Sequence, residues 1–205
     1  MKLSRKLPDL VGRRRHVALA GHRGEVAIVR RYLDDPASEV RATALGALAR
    51  VGDLRAPDLE AALADSAAEV RRRAAELAAG LPGDAPPCLV PVLTDVDPSV
   101  VEAASWACGE RAPPEDGVVA ALAAVASGHD DPLCREAAVA ALGAVGDPAG
   151  LPAIIAATTD RPAVRRRAVL ALAPFDGTEV DTALRRALDD RDWQVRQAAE
   201  DLLGS

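Results

Sequence analysis

Asp35-Pro36-Ala37-Ser38-Glu39-Val40-Arg41 runs into Ala44, Leu45 and Leu48 and stops at Gly52-Asp53. Aspartate and proline set a turn, and the apolar residues three and four apart then mark one face of a helix. Gly-Asp just past the last apolar residue ends it. The pattern returns from Asp65 to Val70 and Arg71, with Ala74, Ala75 and Leu77 behind it. It returns again from Asp95 to Val100, from Asp131 to Cys134 and Arg135, from Asp160 to Val164 and Arg165, and from Asp190 to Val195 and Arg196. With Val40, Val70, Val100, Cys134, Val164 and Val195 as anchors, the copies lie 30, 30, 34, 30 and 31 residues apart. A unit of that length holds two short helices and two turns, and such self-similarity marks a stacked repeat.

The second helix of each pair follows its anchor. The first precedes it, over 25–33, 57–64, 87–93, 115–126, 151–157 and 179–188. Pro57, Pro87 and Pro152 fall at or near the first turn of these helices, where the missing N–H of proline costs nothing. Composition agrees. Alanine supplies 45 of the 205 residues and aromatics only 2%, which suits helices packed closely through small side chains and not a sandwich or barrel.

The pattern Asp-x-x-x-x-Val-Arg-x-x-Ala-x-x-Ala-Leu-x-x-x-Gly-Asp, matched nearly throughout by residues 34–53, resembles the HEAT repeat in the short form of the phycobilisome-lyase-like repeat family. The resemblance covers about residues 25–203. It implies an all-α fold, a right-handed α-solenoid of about six helical pairs over 25–205. Residues 1–24 are expected to form a basic N-terminal cap or half-repeat. Such a family includes scaffolds, enzyme subunits and some enzymes, so the fold alone licenses no reaction.

An α-helix turns about 100° per residue, which sorts each second helix into faces. Positions +4, +8 and +11 from the anchor share its side; in the first copy these are Ala44, Leu48 and Val51, the core stripe. Cys134 stands in the valine row and reads as a small hydrophobe. Position +1 is arginine in every copy but the third, where it is Val101. With the aspartate before each anchor, these arginines suggest a ladder of loop-to-loop bonds, interrupted at Val101. The resemblance implies that this ladder is structural.

Positions +2, +3 and +6 point away from the core, onto the expected concave face. There Arg72, Arg73 and Glu76 stand in the second copy, Glu102 and Trp106 in the third, Glu136 in the fourth, and Arg166, Arg167 and Leu170 in the fifth. These are the candidate partner-binding residues. A tryptophan on an otherwise charged face is a candidate anchor, because binding hot spots favour Trp and Arg. The arginine flanks suggest an extended acidic or mixed-charge peptide. Trp193 is expected to cover the exposed end of the last copy.

No phosphate loop, nucleophile elbow or His-Glu-x-x-His stretch occurs. Cys88, Cys108 and Cys134 lack metal-ligand spacing and read as free, reduced, buried thiols. No catalytic residue, cofactor or metal is assigned. Among HEAT-repeat enzymes, the deoxyhypusine hydroxylase holds two irons with His-Glu pairs, and no His-Glu dipeptide occurs here.

The net charge is −6, yet residues 1–31 hold nine Lys/Arg against two Asp/Glu. The strongly acidic remainder argues against nucleic acid as a partner. No apolar run is long enough for a membrane span and the first residues lack a signal-peptide core, so a cytoplasmic protein is expected. The expected function is a non-catalytic scaffold or adaptor that binds a protein or peptide on its concave face. The alternative is an accessory subunit or small enzyme, acting on a cofactor as lyase-like relatives do or on nucleic acid as alkylpurine glycosylases do.

Overall fold

The computed structural model describes residues 9–81 and 87–204; residues 1–8 of the basic N-terminal segment lie outside them. The chain divides into two compact units, Met1–Pro87 and Cys88–Ser205, and each is described by itself. Among the described residues, every regular element is helical.

The first unit holds α1 (Leu10–His22), α2 (Val26–Arg30), α3 (Ser38–Arg50), α4 (Ala56–Leu63) and α5 (Ala68–Ala78). The helices after the anchors stack, α1 on α3 and α3 on α5, while α2 covers α1 and α3, and α4 covers α5. Val17, Val29, Val40, Ala44 and Leu48 form the core between them, edged by Tyr32, Leu33 and Leu54. Each fully buried valine or leucine contributes about 1.5–3 kcal/mol. Helix α1 stands to α3 as one repeat stands to the next. Its Gly21 lies so near α3 that a Cβ there would sit 2.8 Å from that of Ala47, and Arg13 reaches Asp35 at 3.1 Å. Gly12-Arg13 thus hold the anchor and +1 positions of a further second helix. The sequence did not reveal this register, because glycine replaces the anchor valine.

The second unit holds a 3₁₀ turn (Val90–Thr94), α6 (Pro98–Gly109), α7 (Val118–Gly128), α8 (Pro132–Val145), α9 (Leu151–Ala157), α10 (Pro162–Ala171), α11 (Thr178–Ala187) and α12 (Trp193–Leu203). Helices α6, α8, α10 and α12 stack in that order, and α7, α9 and α11 form the other layer.

The helix expected over 87–93 is instead this 3₁₀ turn. Pro91 has no N–H to give, and the N–H groups of Leu89 and Val90 donate to the Glu115 carboxylate at 2.9–3.3 Å. With Glu115 committed there, α7 begins three residues later than expected, after Gly117 at φ 79°.

All six anchors are buried, and the alanine at +4 is fully buried in every copy. Val51, expected in the core, is half-buried at the C-cap of α3. Gly52 and Gly146 follow α3 and α8 at φ 72° and 67°, where a Cβ would strain the backbone. Asp97, Asp131 and Asp192 cap α6, α8 and α12 by accepting an N–H two residues on, at 2.8–2.9 Å.

Candidate functional site

The arginines at +1 form the rungs of a ladder. Arg41 grips Asp65 through Nε and Nη2 at 2.8 and 2.7 Å, and its Nη1 donates to the Asp35 carbonyl at 2.8 Å. Arg135 grips Asp160 at 2.7 and 2.8 Å, and Arg165 grips Asp190 at 2.8 and 2.7 Å. Each arginine therefore closes its own loop and clamps the next. These forked bonds hold the Asp160 and Asp190 carboxyls below the usual carboxylate range. At Asp65 burial pushes upward, but the bonds from Arg41 and the Ala67 N–H outweigh it and its carboxyl is also held low.

Val101 interrupts the ladder as expected, fully buried. The expected aspartate of the next copy, Asp131, is not the acceptor of that rung but the cap of α8. His129 holds the place instead. Its Nδ1 accepts the Asp131 N–H at 3.0 Å, as Asp35, Asp65 and Asp190 accept from Ala37, Ala67 and Asp192. Arg135 donates to the His129 carbonyl at 2.8 Å, as Arg41 does to that of Asp35. Arginine and acceptor carboxylate are thus replaced together at this step. A neutral valine has no fork for a carboxylate to meet.

The outward rows are less uniform than helix geometry alone predicts. Gly46, Ala103 and Ala198 are buried, because neighbouring second helices stack through this side as well. In the first unit Arg72 and Arg73 both bond Glu76 on their own helix, Arg73 at 2.9 Å. The Arg73 guanidinium also lies over Gly46, where a Cβ would meet Nη2 at 2.8 Å. The two arginines and Glu76 border a hollow of about 300 Å³.

In the second unit, α6 and α8 approach so closely that a Cβ on Gly109 would lie 2.9 Å from the Ala141 backbone. Above this contact opens a hollow of about 530 Å³. Ala137, Ala140 and Ala144 join Gly109 and Ala141 as its small-residue lining, and Trp106 and Leu133 supply its large apolar surface. Trp106 is 49% exposed and Leu133 55%. Glu102, Glu110, Glu136 and Arg167 supply the charge, with Arg167 held 3.5 Å from Glu136.

Four candidate residues thus meet in one hollow: Glu102, Trp106, Glu136 and Arg167. Arg166 is exposed and Leu170 half-buried on α10, and neither lines it. Leu133 and Glu110 were missed by sequence reasoning. Leu133 sits before the anchor and Glu110 after the last turn of α6, outside the rows sorted by angle. Also missed was Arg30, which bonds Asp53 and Asp58 at 2.9 Å each from 23 and 28 residues away. Trp193, at the start of α12, is 64% exposed.

The cysteines are all free. Burial pushes the Cys108 and Cys134 thiols up to about 12 and about 11, far from thiolate. Cys88 is exposed, contrary to expectation, with Sγ 3.2 Å from Glu115. Among the described residues, no group of three or more His, Cys, Asp or Glu side chains could hold a metal ion, and no helix is long and apolar enough to cross a membrane.

No curated protein matches the sequence. Among solved structures, the chain is similar to YibA of Escherichia coli, with 18% identity over 98% of this chain and 77% of that one and a TM-score of 0.64. A designed armadillo repeat protein in complex with the peptide (KR)4 is 17% identical over 97% and 95% of the two chains, with a TM-score of 0.53. Human deoxyhypusine hydroxylase, in complex with glycerol, is 22% identical over 94% and 78%, at 0.50. At these identities the likeness shows the fold. The family model for HEAT repeats matches residues 85–162 and 119–204. With more than half of its length matched and its helical pairs stacked copy on copy, the chain belongs to the HEAT repeat family.

Proposed function

We propose that this protein is a non-catalytic scaffold or adaptor that binds a protein or peptide where its second helices line up, with Trp106 as the anchor. The observation that carries the reading is the half-exposed indole on a hollow lined by glycine and alanine. Large aromatic surface beside a hollow favours a covering partner, and tryptophans in such places dominate binding energies. Peptide binding on this fold has a precedent in the designed armadillo complex. The buried thiols far from thiolate, and the ladder arginines committed to aspartates, support a structural role for groups that might otherwise suggest chemistry. The carboxylates around Trp106 disfavour nucleic acid, whose phosphates they would repel. In this reading residues 1–24 act as the N-terminal cap, with α1 shielding α3.

The test is a pull-down from native lysate with wild type and Trp106→Ala side by side, read by mass spectrometry. Circular dichroism first establishes that both are folded. The expected result is a set of proteins held by the wild type and lost from the variant. Identical sets from the two folded proteins would overturn the reading.

A further inference from the structure

We propose that the Trp106 hollow takes a lysine or arginine side chain carried on an extended segment of another protein; this rests on the docking reading above. The arginine flanks of Trp106 suggested an acidic or mixed-charge partner from sequence, and the structure reverses that sign. Arg72 and Arg73 belong to the other unit and bond Glu76. Arg166 lies outside the hollow, and Arg167 is held by Glu136 at 3.5 Å.

The charges left beside the indole are acidic. The Glu102 and Glu110 carboxylates make no hydrogen bond or ion pair among the described residues, and both are exposed on α6 or its C-cap. Their register, eight residues apart on one helix with Trp106 midway, puts two carboxylates and an aromatic face on one side of the hollow. A guanidinium or ammonium over the indole gains a cation–π contact and meets both carboxylates. Its aliphatic stem suits the alanines and the exposed Leu133. A carboxylate in the same place would face two unpaired acids. The net charge of −6 also draws cationic segments toward the protein.

The experiment uses the full chain with Trp193→Phe, so that Trp106 is the sole tryptophan. Three synthetic peptides of equal length are titrated, one rich in Lys/Arg, one rich in Asp/Glu and one of Ser, Gly and Leu, with Trp106 fluorescence and peptide anisotropy as readouts. The Lys/Arg peptide is expected to bind and change the indole signal. Trp106→Ala, read by anisotropy, should weaken it about 30-fold, the equivalent of a 2 kcal/mol hot spot. E102Q/E110Q should weaken it about tenfold or more. D181N/E200Q, which removes equal charge from exposed positions elsewhere, should leave it within about twofold.

Equal losses from both double variants would show diffuse charge attraction and overturn the inference. Trp106-dependent binding of the acidic or neutral peptide instead would overturn the cationic assignment and leave the docking reading standing. Self-association abolished by Trp106→Ala would replace the foreign segment with a second copy and likewise overturn it. If no peptide binds, the cationic assignment fails, and the pull-down alone decides the docking reading.

Discussion

The step from α3 to α5 in the first unit and the step from α6 to α8 in the second occupy the same place in the repeat and are held by different forces. Arg41 and Asp65 clamp the first, and the Arg73 guanidinium lies across Gly46. The second has Val101 and His129 where the clamp would be. It is closed instead by Gly109 set against the Ala141 backbone. Where charged groups hold the helices together, the outward arginines Arg72 and Arg73 share one carboxylate, that of Glu76. Where small residues do so, the outward tryptophan stays half-exposed, and the Glu102 and Glu110 carboxylates make no hydrogen bond or ion pair among the described residues. Loss of the rung and opening of the hollow thus occur at the same step.

The largest effect separates core from surface. Val70→Asp buries an unpaired charge in the first unit and is expected to cost more than about 4 kcal/mol, or to prevent folding. Chemical denaturation monitored by circular dichroism measures it. A loss under about 1 kcal/mol would mean that the anchor row does not face the core.

Next comes the missing rung. Val101→Arg alone is expected to destabilise by about 3 kcal/mol, since the new charge is buried without its carboxylate. His129→Asp on top of it should recover at least about 1 kcal/mol by supplying the acceptor. Additive single effects in that double-mutant cycle would show that the two positions are not a rung.

Acid sharpens the same comparison. Carboxyls held low by arginine stabilise the fold above their unfolded pKa of about 4, and that stability is lost as pH falls through the lower folded value. The double variant, with one more rung, should therefore lose more stability than wild type between about pH 5 and 2. An unchanged acid sensitivity would count against the rung.

Two glycines test which neighbour can give way. Gly109→Ala drives a Cβ to 2.9 Å from the Ala141 backbone and should cost about 1–3 kcal/mol in melting experiments. Gly46→Ala meets only the end of the Arg73 side chain, which can swing aside, and should change stability by less than about 1 kcal/mol of either sign. Equal costs would mean that the two steps are packed alike. The smallest expected effect is that of Arg72→Ala, about 0.5 kcal/mol or less, because its bond to Glu76 is a partly exposed pair within one helix.

The amino-acid sequence by itself determined the helices, their order and the buried row. Those depend on spacings within some twenty residues: an aspartate turn, an anchor, alanine four later, and Gly-Asp at the end. Five of the six expected first helices form as helices within a few residues of the expected bounds. The ladder arginines were legible for the same reason, since each recurs at a fixed offset from its anchor. Tertiary structure decided what meets across repeats. Arg13 was found as a rung only because α1 packs on α3, and His129 only because its ring takes an N–H that aspartate takes elsewhere. The sign of the Trp106 hollow was decided there too. Counting residues on a face gives every arginine the same weight, but a charge already paired offers little to a partner. Arg72 and Arg73 meet Glu76 within one helix, but Arg167 meets Glu136 from 31 residues away on another helix, a pairing no local spacing encodes.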